Sequence, residues 1–254
     1  MKGLATANVR AMSAGEAQAS AAIDTIHPPL VIADGTLEAL KWAAALLMVV
    51  DHANKFLYGE KLPVIFQVGR IVMPIFGFVL AYNLTRPGAY VRGVYSRMMY
   101  RLAFWGLAAT PMYIILNGMY VKASAWWPFN ILFMLLLVVA LVQLIEQGGA
   151  KRLAAAVALF LVAGAFVEFL WFGVACCFGA WVYCREPSYK RLLLWILGTL
   201  SLSVVNGNAW ALVSIPLLLC VTKLNVRVPR WRWAFYVLYP VHLLAILIVK
   251  LQWF

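Results

Sequence analysis

Charge is scarce in this chain. Of 254 residues only 12% are charged, and Asp and Glu number 9 against 21 Lys and Arg. Soluble domains carry about 25% charge and roughly 45–50% apolar residues. Here 65% of residues are hydrophobic and the mean hydropathy is +0.88, which excludes a soluble fold. The sparse carboxylates form no chain suited to proton relay. The 4 cysteines, Cys176, Cys177, Cys184 and Cys220, lie in or beside apolar runs without metal-ligand spacing. They read as buried, inert thiols, and no metal is implied. No internal repeat is visible, and residues 1–29 lack the apolar core of a signal peptide. Residues 1–33 therefore read as a flexible cytosolic tail, with the first helix as an uncleaved insertion signal. No basic patch interleaves with exposed aromatics, so the net charge of +12 does not signal nucleic-acid binding.

What is present is a succession of apolar runs, near 37–57, 63–84, 98–118, 127–146, 152–169, 170–184, 190–206, 207–223 and 233–253. At roughly 20 residues per crossing they predict an all-α, polytopic transmembrane bundle of about eight or nine spans. Residues 34–254 form one domain. Lys and Arg gather in alternate connections, at Arg86–Arg101, Lys151–Arg152, Arg185–Arg191 and Lys223–Arg232. The positive-inside rule then places the amino terminus in the cytosol. Trp126 and Trp127 fall at an expected outer boundary. The stretch "RPGAYVRGVYSRMMYR" interleaves Arg86, Arg92, Arg97 and Arg101 with tyrosines. It reads as an interfacial segment against lipid headgroups, or as a docking face for a nucleotide-bearing polyanion.

The first span, "LKWAAALLMVVDHANKFLY", holds Lys41, Asp51 and His52. A charge at a helix centre in lipid costs about 2.5–3.5 kcal/mol, so such groups face protein or water and usually serve function. Eleven residues separate Lys41 from His52, which places them within about 20° on one face and about 16 Å apart along the axis. Ala45 and Met48 lie between them on that face. Asp51 points elsewhere. Its candidate partners are Lys55, four residues on, and Arg70, which lies at similar depth in the second span. Pro74 and Gly77 in that span allow a freed backbone carbonyl and a close helix approach. His242, two residues after Pro240, either lines the same cavity or bonds a freed carbonyl. Glu168 and Asn130 are further intramembrane polar groups.

"LKWAAALLMVVDHANKFLY", "VGRIVMPIFGFVLAYNL", "PFNILFMLLL" and "FYVLYPVHLLAIL", in that order, resemble the TraX family. Lys41 and His52 also match the R/K-x10-H pattern of membrane acyltransferases. The resemblance implies an inner-membrane enzyme that acetylates the amino terminus of a conjugative pilin, with acetyl-CoA as donor. It gives functional weight to Lys41, Asp51, His52, Arg70 and His242. In that setting the nucleotide would sit near Lys41, Arg92, Arg97 and Arg101, with the acyl arm running along Ala45 and Met48 to His52. His52 would act as general base or carry the acetyl group itself. Arg70 or a backbone donor near Pro74 would stabilise the oxyanion. Another step of pilin maturation, or small-solute transport, are the alternatives.

Overall fold

The structure, a computed structural model, describes residues 30–121, 125–221, 223–231 and 233–253. Most of the expected tail, residues 1–29, lies outside the described residues. Eleven α-helices are described: α1 Asp34–Tyr58, α2 Pro63–Gly69, α3 Val72–Thr85, α4 Val94–Val121, α5 Ile131–Gln147, α6 Ala150–Ala163, α7 Leu170–Arg185, α8 Tyr189–Ser201, α9 Ser203–Asn206, α10 Ser214–Val221 and α11 Ala234–Trp253. A 3₁₀ turn, Trp210–Val213, precedes α10. The fold is all-α. Among the described residues, the β-structure is a single parallel bridge between Phe129 and Val167.

The expected eight or nine crossings are not there. Among the described residues three helical segments are long and apolar enough to cross a bilayer: Pro63–Thr85, Val94–Tyr120 and Ala234–Trp253. Three more, Ile131–Gln147, Leu170–Arg185 and Trp210–Val221, are apolar but shorter. The physical reason is length. Helices of 14, 16 and 13 residues, as in α6, α7 and α8, rise about 20–24 Å, short of a hydrocarbon core of about 30 Å. Apolar runs therefore overcounted crossings, because several form helices too short to cross: α7 buries much of its surface, whereas α6 and α8 leave Leu161, Val162, Leu193 and Leu197 exposed. Helix α1 has 25 residues and the length to cross, but it carries the polar groups described below. The long helices present Leu107, Ile115, Ile248 and Leu251 outward, as helices facing acyl chains do. Apolar helices that cross more than once define a multi-pass inner-membrane protein, since outer-membrane chains span as closed barrels.

Local sequence explains where the elements break. Helix α1 ends at Gly59, whose φ of +61 is the left-handed cap that glycine adopts without penalty. The second crossing is interrupted at Arg70 and Ile71, between α2 and α3. Pro74 lies four residues beyond Arg70, and its missing N–H leaves the Arg70 carbonyl without its helical donor. Helix α5 starts at Asn130, whose side chain accepts the Leu132 N–H at 3.1 Å. Asn130 also donates to the Gly106 carbonyl at 3.1 Å, which ties that start to α4. A β-carbon at Gly77 would meet the Cys177 sulfur at 2.5 Å, so α3 and α7 pack at a distance only glycine permits. The segment before α11 straps the start of α1. Thr36 donates to the Leu224 carbonyl at 2.7 Å, and the Trp231 N–H donates to Glu38 at 3.2 Å.

Candidate functional site

Two internal volumes meet near the middle of α1. The larger, about 520 Å³, is lined by Lys41, Arg86, Arg92, Arg97, Arg101 and Arg230, with Asn83, Tyr236 and Tyr239. All four predicted cofactor contacts, Lys41, Arg92, Arg97 and Arg101, thus share one cavity. Arg86 and Arg230 join them. Two carboxylates answer these six cations: Glu38 holds Lys41 at 2.6 Å and Asp34 holds Arg86 at 2.5 Å. The ammonium of Lys41 also lies over the Phe235 ring, and Arg101 lies over Trp233. The Nε of Arg86 is buried with no hydrogen-bond partner among the described residues. An anion is the group this wall lacks.

The smaller volume, about 80 Å³, is lined by Asp51, His52, Lys55, Glu60, Gly69, Arg70, Glu168 and Phe169. Met48 and Ile131 line both volumes and form the partition between them. Lys41 and His52 therefore line two separate, adjoining volumes. Met48 and Ile131 stand between them, in place of the open stripe that the sequence suggested. Ala45, expected on that stripe, is 1% exposed and packed into the core.

Inside the smaller chamber Asp51 and Arg70 are paired. One Arg70 Nη2 donates to both Asp51 carboxylate oxygens at 3.1 Å, and Arg70 Nε donates to the Phe66 carbonyl at 3.0 Å. The pairing with Arg70, rather than with Lys55, follows from the break in the second crossing, which turns Arg70 toward α1. It also needs Gly69, where a β-carbon would come within 2.2 Å of the Asp51 carboxylate. Glu168 does not lie inside a helix, as the apolar runs implied. It sits in the turn before α7, where the Phe129 N–H donates to the Phe166 carbonyl at 2.7 Å and the Glu168 N–H to the Phe129 carbonyl at 2.8 Å. The next two residues, Phe169 and Leu170, take φ of +62 and +52. Left-handed backbone in bulky residues is costly and collects at functional sites.

His52 and His242 form a dyad. His52 Nδ1 lies 2.7 Å from His242 Nε2, with the rings within 6° of parallel. His242 Nδ1 lies 2.9 Å from the Leu238 carbonyl oxygen, which can only accept. His242 therefore carries its proton on Nδ1. With both rings neutral, His242 Nε2 accepts the His52 Nδ1–H. His52 Nε2 is left as an unprotonated nitrogen on a ring that lines the chamber. His242 itself lines neither volume; it backs His52, and its carbonyl partner is not the one Pro240 frees.

Sequence reasoning missed Glu38, Arg230 and Tyr239. Arg230 stood in a basic loop read only for orientation, and Glu38 lies three residues before Lys41, the spacing of a helical ion pair. Nothing in the pattern separates Tyr239 from neighbouring aromatics. Among the described residues, no group of three or more His, Cys, Asp or Glu is arranged to hold a metal ion.

The TraX protein family matches residues 36–250, which takes in every residue of both volumes. Protein TraX of Escherichia coli is 31% identical over 135 residues, 53% of this chain and 50% of that protein. Protein TraX of Escherichia coli strain K12 is 29% identical over 135 residues, with the same coverage. The chain spans about half the length of the curated relatives it matches. No solved structure matches it. With the family match running from the start of α1 almost to the end of α11, the chain belongs to the TraX protein family.

Proposed function

We propose that the protein is a membrane-embedded acetyltransferase that moves an acetyl group from cytosolic acetyl-CoA to the N-terminal amine of a conjugative pilin. One observation carries this reading: a six-cation cavity and a histidine dyad meet across the Met48–Ile131 partition. A volume of about 520 Å³ is of the size that holds cofactor-scale ligands. Coenzyme A is a polyanion on a thin arm. Arg92, Arg97, Arg101 and Arg230 suit its phosphates, since guanidinium groups bind phosphate through paired donors. Lys41 lines the same cavity, on the helix that carries Met48, and the arm would run from there toward the partition.

His52 then acts as general base. As the acceptor nitrogen attacks the thioester carbonyl carbon, His52 Nε2 takes a proton from that nitrogen. The tetrahedral intermediate collapses, the carbon–sulfur bond breaks, and the thiolate leaves with the proton held by His52. His242 accepts from Nδ1 throughout and so steadies the cationic ring. The acceptor enters from the end of α1 opposite Lys41, past Lys55 and Glu60. Asp51 and Arg70 fix the chamber floor between them.

Intact mass measurement of pilin from cells with and without this protein tests the reading. The expected result is a gain of one acetyl group in its presence. Pilin of identical mass in both samples overturns it. Lys41→Ala should weaken acetyl-CoA binding about tenfold, as the loss of one charge-assisted contact does, and leave turnover of bound donor nearly intact. Titration calorimetry with acetyl-CoA reads the first and a saturating rate the second. A variant that binds normally but turns over slowly would move Lys41 from binding to chemistry.

A further inference from the structure

The two volumes carry opposite charge, and the mechanism above uses only one side of that contrast. Six cations and no carboxylate line the larger volume. The smaller is lined by three carboxylates, Asp51, Glu60 and Glu168, against two cations, Lys55 and Arg70. A polyanionic donor suits the first wall. A cation suits the second, and the acceptor amine arrives as one. An α-amino group has a pKa of about 7.7–8.0, so most of it is ammonium at pH 7.

Two of the three carboxylates are engaged by other side chains. Asp51 accepts from Arg70 through both oxygens. Glu60 accepts from the Tyr120 hydroxyl. Glu168 accepts from the backbone N–H of Ile131, the first residue of α5. A carboxylate has two oxygens and about four lone-pair sites, so one backbone donor leaves room for an amine. Among the described residues no cation lies within ion-pair distance of Glu168. Lys55 lies instead over the rings of Phe56 and Tyr120, at 5.1 and 5.6 Å. The turn is fixed where Glu168 leaves it, because the Glu168 N–H donates to the Phe129 carbonyl just before α5. Glu168 and His52 line the same volume of about 80 Å³. A water molecule takes about 30 Å³ in the liquid, so this space admits an amine and little more.

We propose that Glu168 is the acceptor-binding carboxylate, which holds the terminal ammonium of the pilin in the smaller chamber and takes the first of the two protons that this nitrogen must lose. The proposal rests on the acetyl-transfer reading and adds the group that receives the amine. An ammonium has no lone pair, so one proton leaves before attack and a second leaves as the carbon–nitrogen bond forms. An ammonium and a carboxylate that meet away from bulk water both lose hydration, which favours the neutral pair. The first proton therefore passes to a Glu168 oxygen, leaving a neutral amine and a carboxylic acid. The amine lone pair bonds to the thioester carbon, His52 Nε2 takes the second proton, and the carbon–sulfur bond breaks to release the thiolate. The step ends with an amide, a thiolate, protonated Glu168 and protonated His52, and both protons return to water as the products leave. The charges facing Glu168 are Lys55, Arg70 and Asp51. The two cations among them favour an ionised Glu168 before the amine arrives.

Glu168→Gln keeps an oxygen for the Ile131 N–H and removes the charge. Two peptides with the pilin N-terminal sequence serve as acceptors for the purified full chain at pH 7. One has its natural amine; in the other an aminooxy group, uncharged at that pH, replaces it. The wild type should bind the natural peptide about 10–100-fold more tightly than the aminooxy peptide, the worth of a charge-assisted contact. In Glu168→Gln, acetylation of the natural peptide should fall about 10²-fold, the lower end of what a positioned base contributes. Acetylation of the aminooxy peptide, which has no first proton to lose, should stay near the wild-type rate, with acetyl-CoA affinity unchanged. A residue that only shaped the chamber would slow both peptides alike. That outcome, a wild-type rate on the natural peptide in Glu168→Gln, or equal binding of the two peptides by the wild type overturns the Glu168 site and leaves acetyl transfer standing. Should the variant lose acetyl-CoA binding, the wild-type comparison of the two peptides decides alone. A wild type that neither binds acetyl-CoA nor acetylates either peptide overturns the reading beneath, and the site falls with it.

Discussion

With acetyl transfer as proposed, His52→Ala should reduce acetylation of pilin by about 10²–10⁴-fold, the span a positioned general base contributes, while the protein still accumulates in the membrane. The expectation rests on one nitrogen. His52 Nδ1 is committed to His242 at 2.7 Å, so Nε2 is the nitrogen left to act as base. His242→Ala should cost less, roughly ten- to a hundredfold, the range seen when the partner that orients a working histidine is removed. Without His242 the ring loses the acceptor that fixes its tautomer, so the base is present only part of the time. His242→Gln offers an amide oxygen to the same Nδ1–H and should recover much of the rate; a merely structural His242 would show no such preference for an acceptor. Single-turnover acetylation of a pilin peptide, with acetyl-CoA binding measured in parallel, reads all three variants. Full activity in His52→Ala would take that residue out of the chemistry.

Much of this site could be read from helical geometry alone. Residues eleven apart return to one face, which put Lys41 and His52 on the same side of α1. A rise of about 1.5 Å per residue set Arg70 at the depth of Asp51, and the ion pair is there. Basic residues between 86 and 101 proved to line one cavity, although lipid contact explained their spacing as well. What the pattern could not carry was anything set by tertiary contact. The meeting of His52 with His242 joins helices 190 residues apart in the chain. Tyr239 looks like any interior aromatic until its hydroxyl is found without a partner. Crossings were overcounted for a related reason. An apolar run of 13 to 16 residues is equally suited to a short helix and to part of a span, and hydropathy weighs the two alike.

Arg70→Ala should be the most destabilising single change in the chamber. It leaves the Asp51 carboxylate, 17% exposed, without the guanidinium that donates to both of its oxygens. Breaking a buried ion pair by removing one member costs about 3–5 kcal/mol, and the residual exposure of this pair places it at the lower end. Asp51→Ala should cost a similar amount, because Arg70 then keeps only the Phe66 carbonyl. Replacing both, as Asp51→Leu with Arg70→Met, removes the desolvation of two charges at once, and such exchanges are often neutral. Stability of the double variant, measured by chemical unfolding in detergent, should therefore recover toward wild type. Activity should not recover with it. The chamber would keep its shape and lose the charges that set the field around His52, which separates the two roles of the pair. Acetylation restored along with stability would make the Asp51–Arg70 bridge a brace and nothing more. A wild-type unfolding midpoint in Arg70→Ala would show that even the brace is dispensable.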